Sequence, residues 1–240
     1  MVFLEFKDIK KRFGKREVLT GVSFFIEEKE LFGIVGTSGC GKSTLFKIIL
    51  GMIRPDRGAI NFEGRNVLAN LNYLRKNTGV VTQENMLFNE LTLFENSLYL
   101  GKLYGMRRKD VKEKFMELVK LLGLEDFKDT LISHLSGGMQ KRANILVALI
   151  HGPKLLILDE PTVGLDSLLR ASIWEYINRV NNEGTTILVV SHLLDEIEKN
   201  CDRIGILKGG KIFALASMDQ YKNTYGKDKS FKEIFESLLK

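Results

Sequence analysis

The stretch GTSGCGKST, Gly36 to Thr44, constrains this chain more than any other. It fits G-x-x-x-x-G-K-[ST], with Gly36, Gly41, Lys42 and Ser43 at the fixed positions. Before it runs ELFGIVG, an apolar segment short enough for a buried strand. After it runs STLFKIILGM, which places Leu45, Ile48, Ile49 and Met52 on one side of a helix. Strand, glycine turn and helix N-terminus together are what a triphosphate needs. Gly36, Gly39 and Gly41 let backbone N–H groups curl round phosphates without Cβ clashes. The helix start adds partial positive charge and Lys42 a full one, while Ser43 can offer its hydroxyl to Mg²⁺. The whole run, Gly36, Thr37, Ser38, Gly39, Cys40, Gly41, Lys42, Ser43 and Thr44, therefore reads as a nucleotide-binding loop.

A chain of 240 residues, 44% apolar and 28% charged, can bury one large core, with or without a subdomain. No apolar run approaches the roughly 18 residues that span a bilayer. MVFLEFKDIKKRFG carries too many early charges for a signal peptide, so a cytoplasmic protein is expected. Two cysteines, Cys40 and Cys201, make neither a disulfide framework nor a metal site. The net charge of +6 is spread among acids, as in RRKDVKEK, so no specific nucleic acid is expected as partner. Attraction to anionic lipid beside a membrane partner is a milder reading of the same charge.

Along the chain, Phe3 to Phe6 and the alternating Val22, Phe24 and Ile26 predict strands, with KRFGKRE as the turn between them. Gly58 to Gly64 and Thr78 to Gln83 predict two more. From 84 to 134 the pattern turns helical, with Val111, Phe115, Leu118, Val119 and Leu122 on one face and Gly123 ending it. Strands return in KLLILDE, TTILVVSH and RIGILKGGKI. Between the first two lies a helix with an apolar stripe of Leu169, Ile173, Tyr176, Ile177 and Val180, ended by Gly184. Alternating βα units imply an α/β fold: a mostly parallel covered sheet, an antiparallel N-terminal part and an inserted helical subdomain. The expected division of this single domain is an α/β core at 1–83 and 135–218, the helical part at 84–134, and a polar helical tail at 219–240.

Two further stretches carry chemistry. LLILDE puts a buried strand before two acids, so Asp159 would hold Mg²⁺ and Glu160 would polarise an attacking water. LSGGMQKR opens a helix on Ser136, Gly137 and Gly138, where N–H groups are again free to meet an anion. Two phosphate-seeking helix starts in one chain suggest two faces of a shared site. LSGGMQ followed by LLILDEPTVGLD resembles the ATP-binding subunit of an ABC transporter, a P-loop ATPase, over about the whole chain.

That resemblance implies further roles. Phe13 falls where the family stacks an aromatic on adenine. The usual residue is tyrosine, but stacking needs only the ring. Gln83 matches the glutamine that reaches Mg²⁺ and water, though Thr82 beside it is commonly proline. Glu160 matches the catalytic base, His192 the histidine on the γ-phosphate, and Gly164, Leu165 and Asp166 the loop at the dimer interface. ATP and Mg²⁺ are the implied cofactors. The implied assembly is a head-to-tail dimer with a second copy or a homologous subunit, bound to integral membrane permease subunits on the inner face of the membrane. ENMLFNELTLFENSLYLGKLYGM, the stretch from SGGMQKR to VGLD and the closing KSFKEIFESLL resemble the branch that exports drugs, antibiotics or polymers. Met86, Leu87, Phe88 and Leu91 are candidates for permease docking or for the subdomain core. Cys40, beside a helix start and Lys42, is expected to be a reactive thiol. A GTPase would need N-K-x-D, which is absent from the sequence. The related DNA-maintenance and ribosome-linked ATPases bring long coiled-coil arms or paired cassettes instead.

Overall fold

Aromatic rings that meet across neighbouring strands shape how the chain begins. In the computed structural model, which describes residues 1–239, β1 (Val2–Phe13) and β2 (Arg16–Glu27) form a long antiparallel hairpin. Its connection is only Gly14 and Lys15, because Gly14 takes the positive φ of 58° that a two-residue turn requires. The wider turn expected over KRFGKRE is therefore mostly strand. Phe6 stacks on Phe24 at 4.1 Å, and Phe24 on Phe32 at 5.4 Å. Phe32 lies in β3 (Leu31–Gly36), whose six residues are all buried. α1 (Lys42–Ile49) buries Leu45, Phe46, Ile48 and Ile49. Met52 leaves the predicted stripe, because Gly51 ends the helix at φ 65° and Met52 is exposed. β4 (Arg57–Phe62) pairs with β1 and carries the short β5 (Arg65–Asn66), completing the antiparallel sheet β2-β1-β4-β5 before α2 (Leu71–Lys76).

Contacts divide the chain into two compact units, Met1–Arg75 with Leu188–Lys240, and Lys76–Ile187. The second unit is built round one core. It contains β6 (Thr78–Val81), α3 (Leu93–Leu103), α4 (Arg108–Leu121), α5 (Gly137–Leu149), β7 (Leu155–Asp159) and α6 (Ser167–Asn182). α5 packs on α3 and α4 as well as on β6, so the helical segment and the following strand share one core. β6 and β7 are parallel. A Cβ on Gly79 would sit 2.4 Å from the Ala148 oxygen, so that glycine sets how closely β6 approaches α5. α3 starts with a reciprocal Thr92–Glu95 capping box. The predicted face of α4 is buried, and Gly123 follows at φ 61°. α6 buries Ile173, Ile177 and Val180, and Trp174 besides.

β8 (Thr186–Val190) is wholly buried and spans the division between the units. The first unit then resumes with α7 (Leu194–Asn200), β9 (Arg203–Lys208) parallel to β3, and β10 (Lys211–Ser217) antiparallel to β9. Gly209 and Gly210 both take positive φ in that hairpin. α8 (Met218–Tyr225) and α9 (Phe231–Leu239) correct the polar reading of the tail: Tyr221, Phe231, Ile234 and Phe235 are buried. The Tyr221 hydroxyl donates to the Ile204 carbonyl at 3.0 Å. Two helices share this cluster, so it leaves no single periodic stripe in the sequence. Parallel buried strands alternating with helices give the expected α/β class. Among the described residues no helix is long and apolar enough to cross a membrane.

Candidate functional site

In the first unit, β3 delivers the glycine loop to the start of α1. Glycine is obligatory at two points. A Cβ on Gly36 would lie 2.5 Å from the Leu207 oxygen, and one on Gly41 would lie 2.7 Å from Leu19 Cδ2. Gly41, at φ 114°, also caps α1 without any side-chain cap. The first helical bond runs from Leu45 N–H to the Gly41 carbonyl at 2.9 Å. The N–H groups of Lys42, Ser43 and Thr44 therefore have no acceptor within the helix. Lys42 Nζ rests on the carbonyls of Gly36 at 2.7 Å and Thr37 at 3.2 Å. Three orphan donors and an ammonium held only by carbonyls fit a polyphosphate. Thr37, Ser38, Gly39 and Ser43 are exposed on this loop.

Cys40 behaves differently from its neighbours. It is buried, and its Sγ lies 2.6 Å from where a Gly36 Cβ would be. The thiol fills space under the loop. Phe13 ends β1 half-exposed, with Lys11 Nζ 5.6 Å from its ring centroid and Lys11 held by Asp56 at 2.9 Å. His192 follows β8 on an exposed turn. Ser191 N–H donates to the Ile34 carbonyl and Leu193 N–H to Ser191 Oγ, both at 3.1 Å, which pins the backbone on either side of the imidazole.

The second unit holds the other predicted residues. β7 buries Leu155 to Leu158 and brings Asp159 to a half-buried position at its end. Glu160 follows at φ 52°, a left-handed conformation that costs a non-glycine residue about 1 kcal/mol or more. Such strain is retained where a side chain is needed in one place. Gln83 is exposed, and its carbonyl accepts from Lys141 Nζ at 2.9 Å. Burial lowers the Lys141 pKa, and the nearby Asp159 charge opposes that shift. Lys141 thus ties α5 to the Gln83 loop. Its signal in the sequence was a basic residue one turn past Ser136, indistinguishable there from a solvated lysine.

Ser136 caps α5, its Oγ accepting from Met139 N–H at 3.4 Å. That contact leaves the hydroxyl proton free to donate. Space beside Gly137 is open to 4 Å, whereas a Cβ on Gly138 would lie 2.7 Å from Leu169 Cδ2. Gly138 is thus needed for packing within, while the face at Gly137 is open. Asp166 has a local task that the sequence reading did not give it: Oδ1 caps α6, accepting from Leu168 and Leu169 N–H at 3.0 Å each. Among the described residues no group of three His, Cys, Asp or Glu side chains could hold a metal. The Ser43 hydroxyl, the Gln83 amide and the Asp159 carboxylate are each oxygen donors of the kind Mg²⁺ takes.

Comparison with known proteins agrees with this chemistry. The family model described as ABC transporter matches residues 19–163. Linearmycin resistance ATP-binding protein LnrL of Bacillus subtilis (strain 168) is 37% identical over 225 residues, covering 94% of this chain and 72% of that protein. Nod factor export ATP-binding protein I of Rhizobium sp. (strain N33) is 39% identical over 216 residues, covering 90% and 71%. Among solved structures, an ATP-binding subunit of an ABC transporter superposes with a TM-score of 0.88 at 30% identity, covering 99% of this chain and 100% of that one. The cbiO1 protein of Clostridium perfringens, part of the cbiONQ transporter complex, gives 0.86 at 26% identity, covering 97% and 94%.

Proposed function

We propose a function from one premise: this chain belongs to the ABC transporter family, as an ATP-binding subunit. It binds and hydrolyses ATP to power transport, in the direction of export, through separate membrane subunits. The observation that carries this reading is the uncapped start of α1, where Lys42, Ser43 and Thr44 offer N–H groups over a glycine loop. Phe13 stacks the adenine, and Gly36 to Thr44 wrap the phosphates. Ser43, Gln83 and Asp159 would hold Mg²⁺, which neutralises charge on the phosphate oxygens. Glu160 draws a proton from the attacking water, and His192 hydrogen-bonds the γ-phosphate. Ser136, Gly137 and Gly138 close over the ATP of a second copy, with Asp166 at the same interface, so that hydrolysis needs a dimer.

The subunit works on the cytoplasmic face of the membrane, attached through its permease. An exposed apolar group in the second unit supports that attachment. Met86, Phe88, Tyr99 and Leu103 are all exposed, with the Phe88 and Tyr99 rings edge to face at 5.1 Å. Leu87 is buried and belongs to the core instead.

The test is Glu160→Gln. The variant should bind ATP, form an ATP-dependent dimer by light scattering, and lose hydrolysis by at least about 100-fold. Wild-type turnover should rise with protein concentration. Normal turnover in the variant, or full activity in dilute monomer, refutes the mechanism.

A further inference from the structure

We propose that Arg16 is a phosphate-binding residue of this nucleotide site, meeting the phosphate chain of a nucleoside di- or triphosphate. The inference rests on the ATP-binding reading above and adds a residue to it. Three observations within the first unit carry it.

First, Phe13 and Arg16 are directly opposed partners closing the β1–β2 hairpin. Opposed residues in an antiparallel pair project on the same face, so the adenine platform and the guanidinium stem share one side of the ribbon. Second, Arg16 Nη2 ends 4.0 Å from where a Cβ on Gly39 would stand, and outside Ser38 to Cys40 no other atom comes within 4 Å of that point. The arginine thus spans from the ring that receives the base to the loop that receives the phosphates. That is the span a single bound nucleotide must bridge. Third, Lys11 on the same hairpin is already paired with Asp56 at 2.9 Å. Arg16 is exposed, and among the described residues no carboxylate lies within ion-pair distance of its side chain.

Chemistry favours phosphate as the missing partner. A guanidinium presents a planar fork of donors that can take two phosphate oxygens at once and is weakly hydrated for a cation. Gly39 leaves room for such an approach. The contribution should grow with the number of phosphates and vanish for adenosine. Because the group is exposed, it should also weaken as salt screens it.

Calorimetric titration of ADP, AMP and adenosine into the full chain and its Arg16→Gln and Arg16→Lys variants tests this. Arg16→Gln should bind ADP about tenfold more weakly at low salt, with a smaller loss for AMP and none for adenosine. Arg16→Lys should fall between. The gap should narrow at high salt, and the unfolding midpoint without nucleotide should stay at the wild-type value. Equal ADP affinity in Arg16→Gln and wild type overturns the proposal alone. An equal loss for adenosine also overturns it, by assigning Arg16 to the base or the fold. A wild-type chain that fails to bind ADP overturns the ATP-binding reading itself.

Discussion

Asp166 offers the sharpest test, because the family resemblance and the structure give it different work. The resemblance places it at a dimer interface; the structure makes it the cap of a 16-residue helix, with two backbone N–H groups on one carboxylate oxygen. Replacing it with alanine removes both hydrogen bonds and a negative charge at the positive end of α6. The cap contributes about 1 kcal/mol and the charge about 0.3–1 kcal/mol, so Asp166→Ala should lose roughly 1–2 kcal/mol. For a chain of this size that lowers the thermal midpoint by about 2–8 °C. Asp166→Asn keeps a capping oxygen and should lose only the charge contribution, about 0.3–1 kcal/mol. Urea unfolding of the monomer, with nucleotide absent, reads the cap. ATP turnover of the two variants then reads the carboxylate. If Asp166→Ala is as stable as wild type, or Asp166→Asn is as damaged as Asp166→Ala, the capping argument is wrong. Should Asp166→Asn keep full stability but lose turnover, the charge acts beyond its own helix.

Two more expectations concern the fold. Glu30 is buried and forms a two-pronged pair with Arg203, at 2.6 and 2.9 Å, while also accepting from Glu27 N–H. Glu30→Ala leaves the guanidinium half-buried against the Phe25 and Phe32 rings without its acid, so stability should fall by about 3–5 kcal/mol. Glu30→Met with Arg203→Met should recover much of that in chemical denaturation, and no recovery would contradict the ion-pair account. His151 is stacked on Tyr104 at 3.7 Å, and burial pushes its pKa down to about 4. Unfolded, it titrates near about 6.5, so in that window the unfolded chain binds a proton that the folded chain refuses. Stability should therefore decline as pH falls from about 6.5 towards 4, and His151→Phe should flatten that slope in pH-resolved urea midpoints. An unchanged slope would rule out His151 as its source.

The legible features shared one property: each needs only neighbours in the chain. The glycine loop, the apolar runs of β3, β7 and β8, and the α4 stripe follow from steric and periodic rules acting over a few residues. Glycines at 51, 123 and 184 mark helix ends in the same local way, although the stop at Gly51 shortened the first helix against its apolar pattern. Misreadings occurred where distant segments decide. The tail looked polar because its apolar residues come from two helices that meet only after folding.

Sequence alone determined what chemistry the chain carries: a phosphate-wrapping loop, a second anion-seeking helix start, two acids after a buried strand. These are properties of residue type and spacing, fixed before any long-range contact forms. Tertiary structure decided which of those groups stand free and which are already occupied. It turned the Cys40 thiol inward, gave Asp166 a helix to cap, brought Lys141 to the Gln83 carbonyl and laid Arg16 beside Gly39. Burial and partnership are relations between remote parts of a chain, so they come into being only when the chain closes on itself.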